Sequence, residues 1–118
     1  MGLQEIRGDW KRLALVGDAV ILLYLRNRYF QKGHDPQNIH EKTIVSAKNE
    51  SLGKWAKQRG VFSCRGRENE GSIYSHASFF EALIGMIYLE QGLDAVEPEL
   101  NVYSMYMEKQ KEAMGLIS

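Results

Sequence analysis

Apolar residues recur along this chain at intervals of three and four, the period of one helix face, and no run alternates with period two between hairpin turns. The pattern predicts an all-α chain. A first long helix runs from Trp10 to about Lys32, with Asp9 as its N-cap and Gly33 as a left-handed stop. After the loop "HDPQ", Asn38 and Glu41 form a capping box that opens a short helix through Val45. Ser46 then caps a helix over "AKNESLGKWAKQR", stopped by Gly60. The segment "VFSCRGRENEGSIYS" is polar and glycine-rich and reads as a loop. A strongly apolar helix follows from about His76 to Gln91, closed by Gly92. Asp94 and Glu97 make a second capping box, with Pro98 in the first turn, for a C-terminal helix whose Leu100, Tyr103, Met107 and Met114 share one face. These elements describe one domain over residues 1–118, with its core at about 10–95 and a C-terminal helix at about 95–114.

Two carboxylates interrupt the apolar faces. In "LALVGDAVILLYL", Asp18 shares its stripe with Ala14, Leu15, Ile21, Leu22 and Leu25, so the pattern points it at the core. In "HASFFEALIGMIYLEQG", Glu81 lies among Ala77, Ser78, Ile84, Gly85 and Tyr88. An ionised carboxylate in an apolar interior costs several kcal/mol, on the order of 2–5, unless a cation, a metal or several donors compensate. Small residues beside each acid (Gly17; Ala77, Ser78, Gly85) allow the two helices to approach closely there. Two readings are open: each acid pairs with a base such as Arg12, Arg26 or Lys48, or the two acids share a divalent cation. Mg²⁺ suits the second, since it takes one or two carboxylates and completes its shell with water and phosphate oxygens.

Charge adds a direction. The net charge is zero, which argues against a protein that coats nucleic acid indiscriminately. Residues 1–67 nevertheless hold thirteen Lys/Arg against six Asp/Glu, and residues 68–118 two against nine. Between Lys42 and Arg67 lie Lys48, Lys54, Lys57, Arg59 and Arg65, with Glu50 the only acid. Such a run is either a set of solvated helix faces or a phosphate-binding patch. One cysteine, Cys64, excludes an internal disulfide and a cysteine-based metal knuckle. No apolar run is long enough for a membrane span, and the N-terminus has no signal-peptide pattern, so the expected location is cytoplasmic. His34, His40 and His76 lack the spacing of a zinc helix, "RGRENEG" lacks the ending of a phosphate loop, and no small-molecule cofactor motif is present. Tyr103, Tyr106, Met105, Met107 and Met114 read as helix packing or dimer contact.

"LALVGDAV", followed about sixty residues later by "FFEALIGMIYLEQG", resembles the two signature helices of the ribonuclease III endonuclease domain. The resemblance is closest to the Mini-III branch, which lacks an appended double-stranded-RNA-binding domain, and "IHEKTIVSAK" and "RGRENEG" look like that branch's basic segments. It implies an all-helical, homodimeric endoribonuclease that hydrolyses double-stranded RNA with Mg²⁺, or with Mn²⁺ in its place, and it suggests ribosomal RNA maturation as the setting. Asp18 and Glu81 match the family's metal-binding, catalytic carboxylates, and Leu15 falls where the family places an apolar residue at the dimer interface. Lys42, Lys48, Arg65 and Arg67 become the phosphate contacts, and Ser78 either a hydroxyl that steadies the Glu81 carboxylate or a small packing residue. Full-length ribonuclease III enzymes carry further acids where this chain has Lys11, Ala14 and Ser78; the Mini-III branch resembles this chain in having alanine and a hydroxyl residue at the last two. An active nuclease and an inactive RNA- or ribosome-binding module both fit the two retained acids.

Overall fold

The computed structural model describes residues 8–60 and 73–113. Among these the chain forms five helices and no strand, as the periodicity predicts: α1 Trp10–Gln31, α2 Pro36–Ser46, α3 Asn49–Gln58, α4 Ile73–Gln91 and α5 Leu93–Ala113. α4 is apolar on nearly every side and is accordingly the central helix, packed against α1 on one flank and α3 on another. The main core joins Ile21 and Leu25 of α1, Leu52 and Trp55 of α3, Phe80 and Ile84 of α4, and Leu100 and Tyr103 of α5. A smaller cluster of Leu13, Phe79 and Ala82 closes the other face of α4. The C-terminal helix buries Leu100 and Tyr103, with Met107 packed at the core's edge; Met114 lies outside the described residues.

Helix ends follow the glycines more faithfully than the caps. Gly33, Gly60 and Gly92 all take positive φ (87°, 77° and 86°) at the predicted stops. Asp9 precedes α1 but makes no side-chain cap; it pairs with Arg12 at 3.5 Å instead. α2 begins two residues before Asn38, because Pro36 fits the first turn and Asp35, not Asn38, accepts the capping bond, from the Asn38 N–H at 2.8 Å. Ser46 does not cap α3. It ends α2, buried, with its Oγ 2.7 Å from the Tyr29 hydroxyl and its carbonyl accepting from Tyr103 at 2.5 Å, and Lys48 stands at the cap of α3. α4 starts at Ile73, three residues before His76, so the latter part of the predicted loop is helical. α5 starts at Leu93, which makes Asp94 a first-turn acid complementing the helix dipole and places Pro98 one turn further in.

Among the described residues no helix is long and apolar enough to cross a membrane.

Candidate metal and nucleic-acid site

α1 and α4 cross with their main chains in contact. A Cβ built on Gly17 would lie 1.7 Å from the Glu81 carbonyl oxygen, and one built on Gly85 would lie 2.2 Å from the Leu13 carbonyl oxygen. Glycine at both positions is what lets the helices meet this closely. The crossing brings the neighbour of Gly17, Asp18, beside the Glu81 side chain, so that the two carboxyls share a hydrogen bond. The sequence pattern pairs these two acids, and the structure does bring them together.

Their surroundings differ. Glu81 is 8% exposed, as its apolar neighbours Ala77, Ile84 and Phe80 require. Asp18 is exposed, contrary to the prediction that it points into the core. The reason is that its stripe is split: Ile21 and Leu25 are buried against the bundle, whereas Leu15 is 74% exposed and Leu22 half-buried, so Asp18 sits where the packed face gives way to an open one. Burial, followed by the hydrogen bond and the charge of Asp18, pushes the Glu81 carboxyl from the ordinary carboxylate range up to about 8. At neutral pH the metal-free pair therefore holds a proton between two carboxyl groups.

Among the described residues ion pairing does not neutralise this pair. Among the described residues neither acid is in a salt bridge, and Arg12 is drawn to Asp9 instead. The donor set is all oxygen, which suits a hard divalent cation better than a soft one. It is also small: no group of three metal-ligating side chains occurs among the described residues. Ala14 and Ser78, both half-buried, stand one turn before Asp18 and Glu81 respectively, and Lys11 is exposed. The residues present fit one cation held by two carboxylates, with other oxygens completing its shell.

Two of the four predicted phosphate contacts lie among the described residues. Lys42 is half-buried on α2 and Lys48 exposed at the start of α3; Arg65, Arg67 and Cys64 lie outside the described residues. Not all of the basic run is available. Lys54 pairs with Glu50 at 3.1 Å, and Arg59 both stacks over the Trp55 ring at 5.3 Å and bonds Glu99 at 2.9 Å. Lys48 and Lys57 are exposed and in no ion pair among the described residues. Of the histidines, His34 packs edge-on to Tyr29, His40 is exposed and His76 is buried in α4.

Leu15 does not stand alone. With Val16, Ala19, Val20, Leu23 and Tyr88 it lines a shallow apolar groove on the outer side of the α1–α4 pair. Leu23 is not among the residues that the pattern singles out, and Tyr88 is read there only as a neighbour of Glu81, although Leu15, Ala19 and Leu23 follow one another at four-residue steps and so share a helix face.

Comparison with known sequences gives a consistent answer. The family model described as "Ribonuclease III domain" matches residues 11–92, which contain both signature acids and the glycine crossing. Over 102 residues the chain is 36% identical to "Ribonuclease 3" of Streptococcus thermophilus, covering 77% of this chain and 44% of that protein. The chain thus spans less than half the length of the curated relative it matches. No solved structure matches.

Proposed function

The chain belongs to the ribonuclease III domain family, and from that premise we propose that it is a Mg²⁺-dependent endoribonuclease acting on double-stranded RNA as a homodimer. The finer reading is a Mini-III-like enzyme working in the cytoplasm, with precursor ribosomal RNA as the substrate that the branch resemblance suggests. The observation that supports the nuclease is the pair itself: a buried carboxyl, Glu81, set against a solvent-facing one, Asp18, with no base to neutralise either among the described residues. Such a pair costs the fold stability and is explained by a cation that both groups can hold.

When bound there, Mg²⁺ supplies Lewis acidity toward a phosphate oxygen and makes a coordinated water more acidic. The protein's part is positional. To hold the ion Glu81 would release to solvent the proton that it carries at neutral pH, and its burial would limit the waters that compete for its oxygens. Asp18, facing solvent, is the carboxylate that an incoming RNA phosphate can approach. We assign Ser78, one turn before Glu81, to steadying that carboxylate. Lys42, Lys48, Arg65 and Arg67 hold backbone phosphates. The duplex is then recognised by its shape and 2′-hydroxyls, since the A-form major groove is too narrow for side chains to read, and little sequence preference follows. The apolar groove around Leu15 is the surface we assign to a second copy of the chain.

A second reading is favoured by one feature: with Ala14 and Ser78 in place, two protein carboxylates stand at the crossing among the described residues. On that reading the chain binds duplex RNA or a ribosome without cutting. Incubation with an end-labelled RNA duplex in Mg²⁺ or EDTA, beside an Asp18→Asn control, separates the two. The nuclease gives Mg²⁺-dependent products that the control lacks. Binding of the duplex with no product in Mg²⁺ or Mn²⁺ would establish the second reading.

A further inference from the structure

Side chains make the core of this bundle, but at the α1–α4 crossing main chain meets main chain. The contact is reciprocal. A Cβ on Gly17 would also lie 3.0 Å from the Gly85 nitrogen, and one on Gly85 3.0 Å from the Gly17 nitrogen. Gly33, Gly60 and Gly92, at helix ends, face open space, so their substitution would meet strain of φ and not a neighbour. The two crossing glycines are not equivalent, however. Gly17 is bonded to Asp18, and the backbone that it meets most closely is that of Glu81; the closest contact of Gly85 is the Leu13 carbonyl, a full turn from either acid.

We infer that Gly17 is a positioning residue for the cation that Asp18 and Glu81 hold, and that Gly85 is a weaker one. The backbone contact sets the distance between the two carboxyls, beyond merely packing two helices. This inference rests on the reading of the two acids as a cation-binding pair. A methyl group at Gly17 cannot remain 1.7 Å from a carbonyl oxygen, so the helices must part by more than an ångström exactly where Glu81 is anchored. Magnesium–oxygen distances of about 2.0–2.1 Å leave little tolerance for such a shift. With two carboxylates and no third protein ligand among the described residues, nothing remains to hold the ion in place. At Gly85 the severe methyl clash is with the Leu13 carbonyl, and the approach to the Gly17 nitrogen at 3.0 Å is milder, so the pair feels the displacement less directly.

The test is Mn²⁺ binding, followed by the electron paramagnetic resonance signal of free Mn²⁺ at 10 °C, with helicity checked by circular dichroism. The chain is compared with Gly17→Ala, Gly85→Ala, Asp18→Asn and Leu100→Ala, the last destabilising the core from α5, which takes no part in the crossing. Expected is Asp18-dependent binding that weakens by at least about 10-fold in Gly17→Ala and about 3-fold in Gly85→Ala, within the range by which misplaced supporting groups weaken metal sites. Leu100→Ala stays within about 2-fold of the unmodified chain, since it leaves the ligands' spacing alone. A folded Gly17→Ala with undiminished affinity overturns the positioning role and leaves the cation reading standing. Absence of Asp18-dependent Mn²⁺ binding in the unmodified chain overturns both. Equal weakening in Leu100→Ala reduces the glycine effect to general stability and overturns the inference, as does loss of helicity in both glycine variants while Leu100→Ala stays folded.

Discussion

α1 carries its charged residues into two very different neighbourhoods. Toward its C-terminal end, Arg28 and Lys32 converge on one acid, Glu108 of α5, at 3.0 and 2.8 Å, and the Tyr24 hydroxyl bonds Asn101 beside them. Bonds from Lys32 and Arg28 hold the Glu108 carboxyl below the ordinary range. Toward its N-terminal end, Asp18 meets Glu81, and burial together with a second carboxyl drives Glu81 in the opposite direction. Both acids lie at helix–helix contacts. One is supplied with two cations by the fold and fastens α1 to α5; the other, among the described residues, is supplied with another acid and no cation. An arrangement that opposes the fold's own stability is the mark of a site kept for a ligand, whereas one that satisfies itself needs no ligand.

The largest expected difference between the two neighbourhoods is in activity. On the proposed cation site, Asp18→Asn or Glu81→Gln removes one of the two carboxylates assigned to the ion, and cleavage of an RNA duplex should fall by at least about 1,000-fold, about 4 kcal/mol in the barrier. Glu108→Gln should leave cleavage within about 2-fold, because a partly exposed salt bridge toward the C-terminal end of α1 touches neither acid. Equal losses in all three variants, measured as single-turnover rates, would erase the distinction.

Stability comes next in size. Between the unfolded carboxyl's value of about 4.3 and the folded Glu81 value of about 8, the native chain holds a proton that the unfolded chain has released. Unfolding free energy of the metal-free chain should therefore fall as pH rises from about 5 to about 8, by about 2 kcal/mol once solvent screening at the exposed Asp18 is allowed for. Glu81→Gln should remove this slope and be the more stable protein at pH 8. Saturating Mg²⁺ should flatten it as well, by stabilising the ionised pair. Urea titrations at pH 5 and pH 8, with EDTA or Mg²⁺, check all three. A chain that gains stability toward pH 8 in EDTA would show that Glu81 is not held protonated.

How far these neighbourhoods can be read from sequence depends on what specifies them. The helices and their glycine stops are local, and Gly33, Gly60 and Gly92 end them where the pattern says. The meeting of Asp18 and Glu81 is also legible, since an acid on an apolar helix within one turn of a glycine occurs twice. Caps are less so: Ser46 has the chemistry of an N-cap, but its hydroxyl and carbonyl are taken by Tyr29 and Tyr103, which arrive from α1 and α5. Tertiary partners outcompete local ones there, and no window of neighbouring residues records them. Asp18's exposure is hidden for a related reason. An apolar face that packs within the chain and one left open, such as that of Leu15 and Leu23, have the same periodicity.

The smallest effect is the one that sharpens the comparison most, because its sign is reversed. Glu108 is held below its unfolded value, so it contributes stability above the unfolded carboxyl range, and that contribution is lost as pH falls through the folded value. Its side chain is 45% exposed and that of Lys32 44%, so solvent screens the cluster and the contribution is a few tenths of a kcal/mol, about 0.5 at most. Glu108→Gln should therefore cost about that much at pH 7 and nothing near pH 3, with salt shrinking the difference further. Glu81→Gln should instead gain stability at pH 8 and be neutral at pH 4. Each substitution removes one ionisable oxygen from a glutamate at a helix contact, so chemistry alone predicts the same curve for both. Opposite slopes in paired pH titrations would trace the difference to the partner: two cations for Glu108, and for Glu81 a second carboxyl.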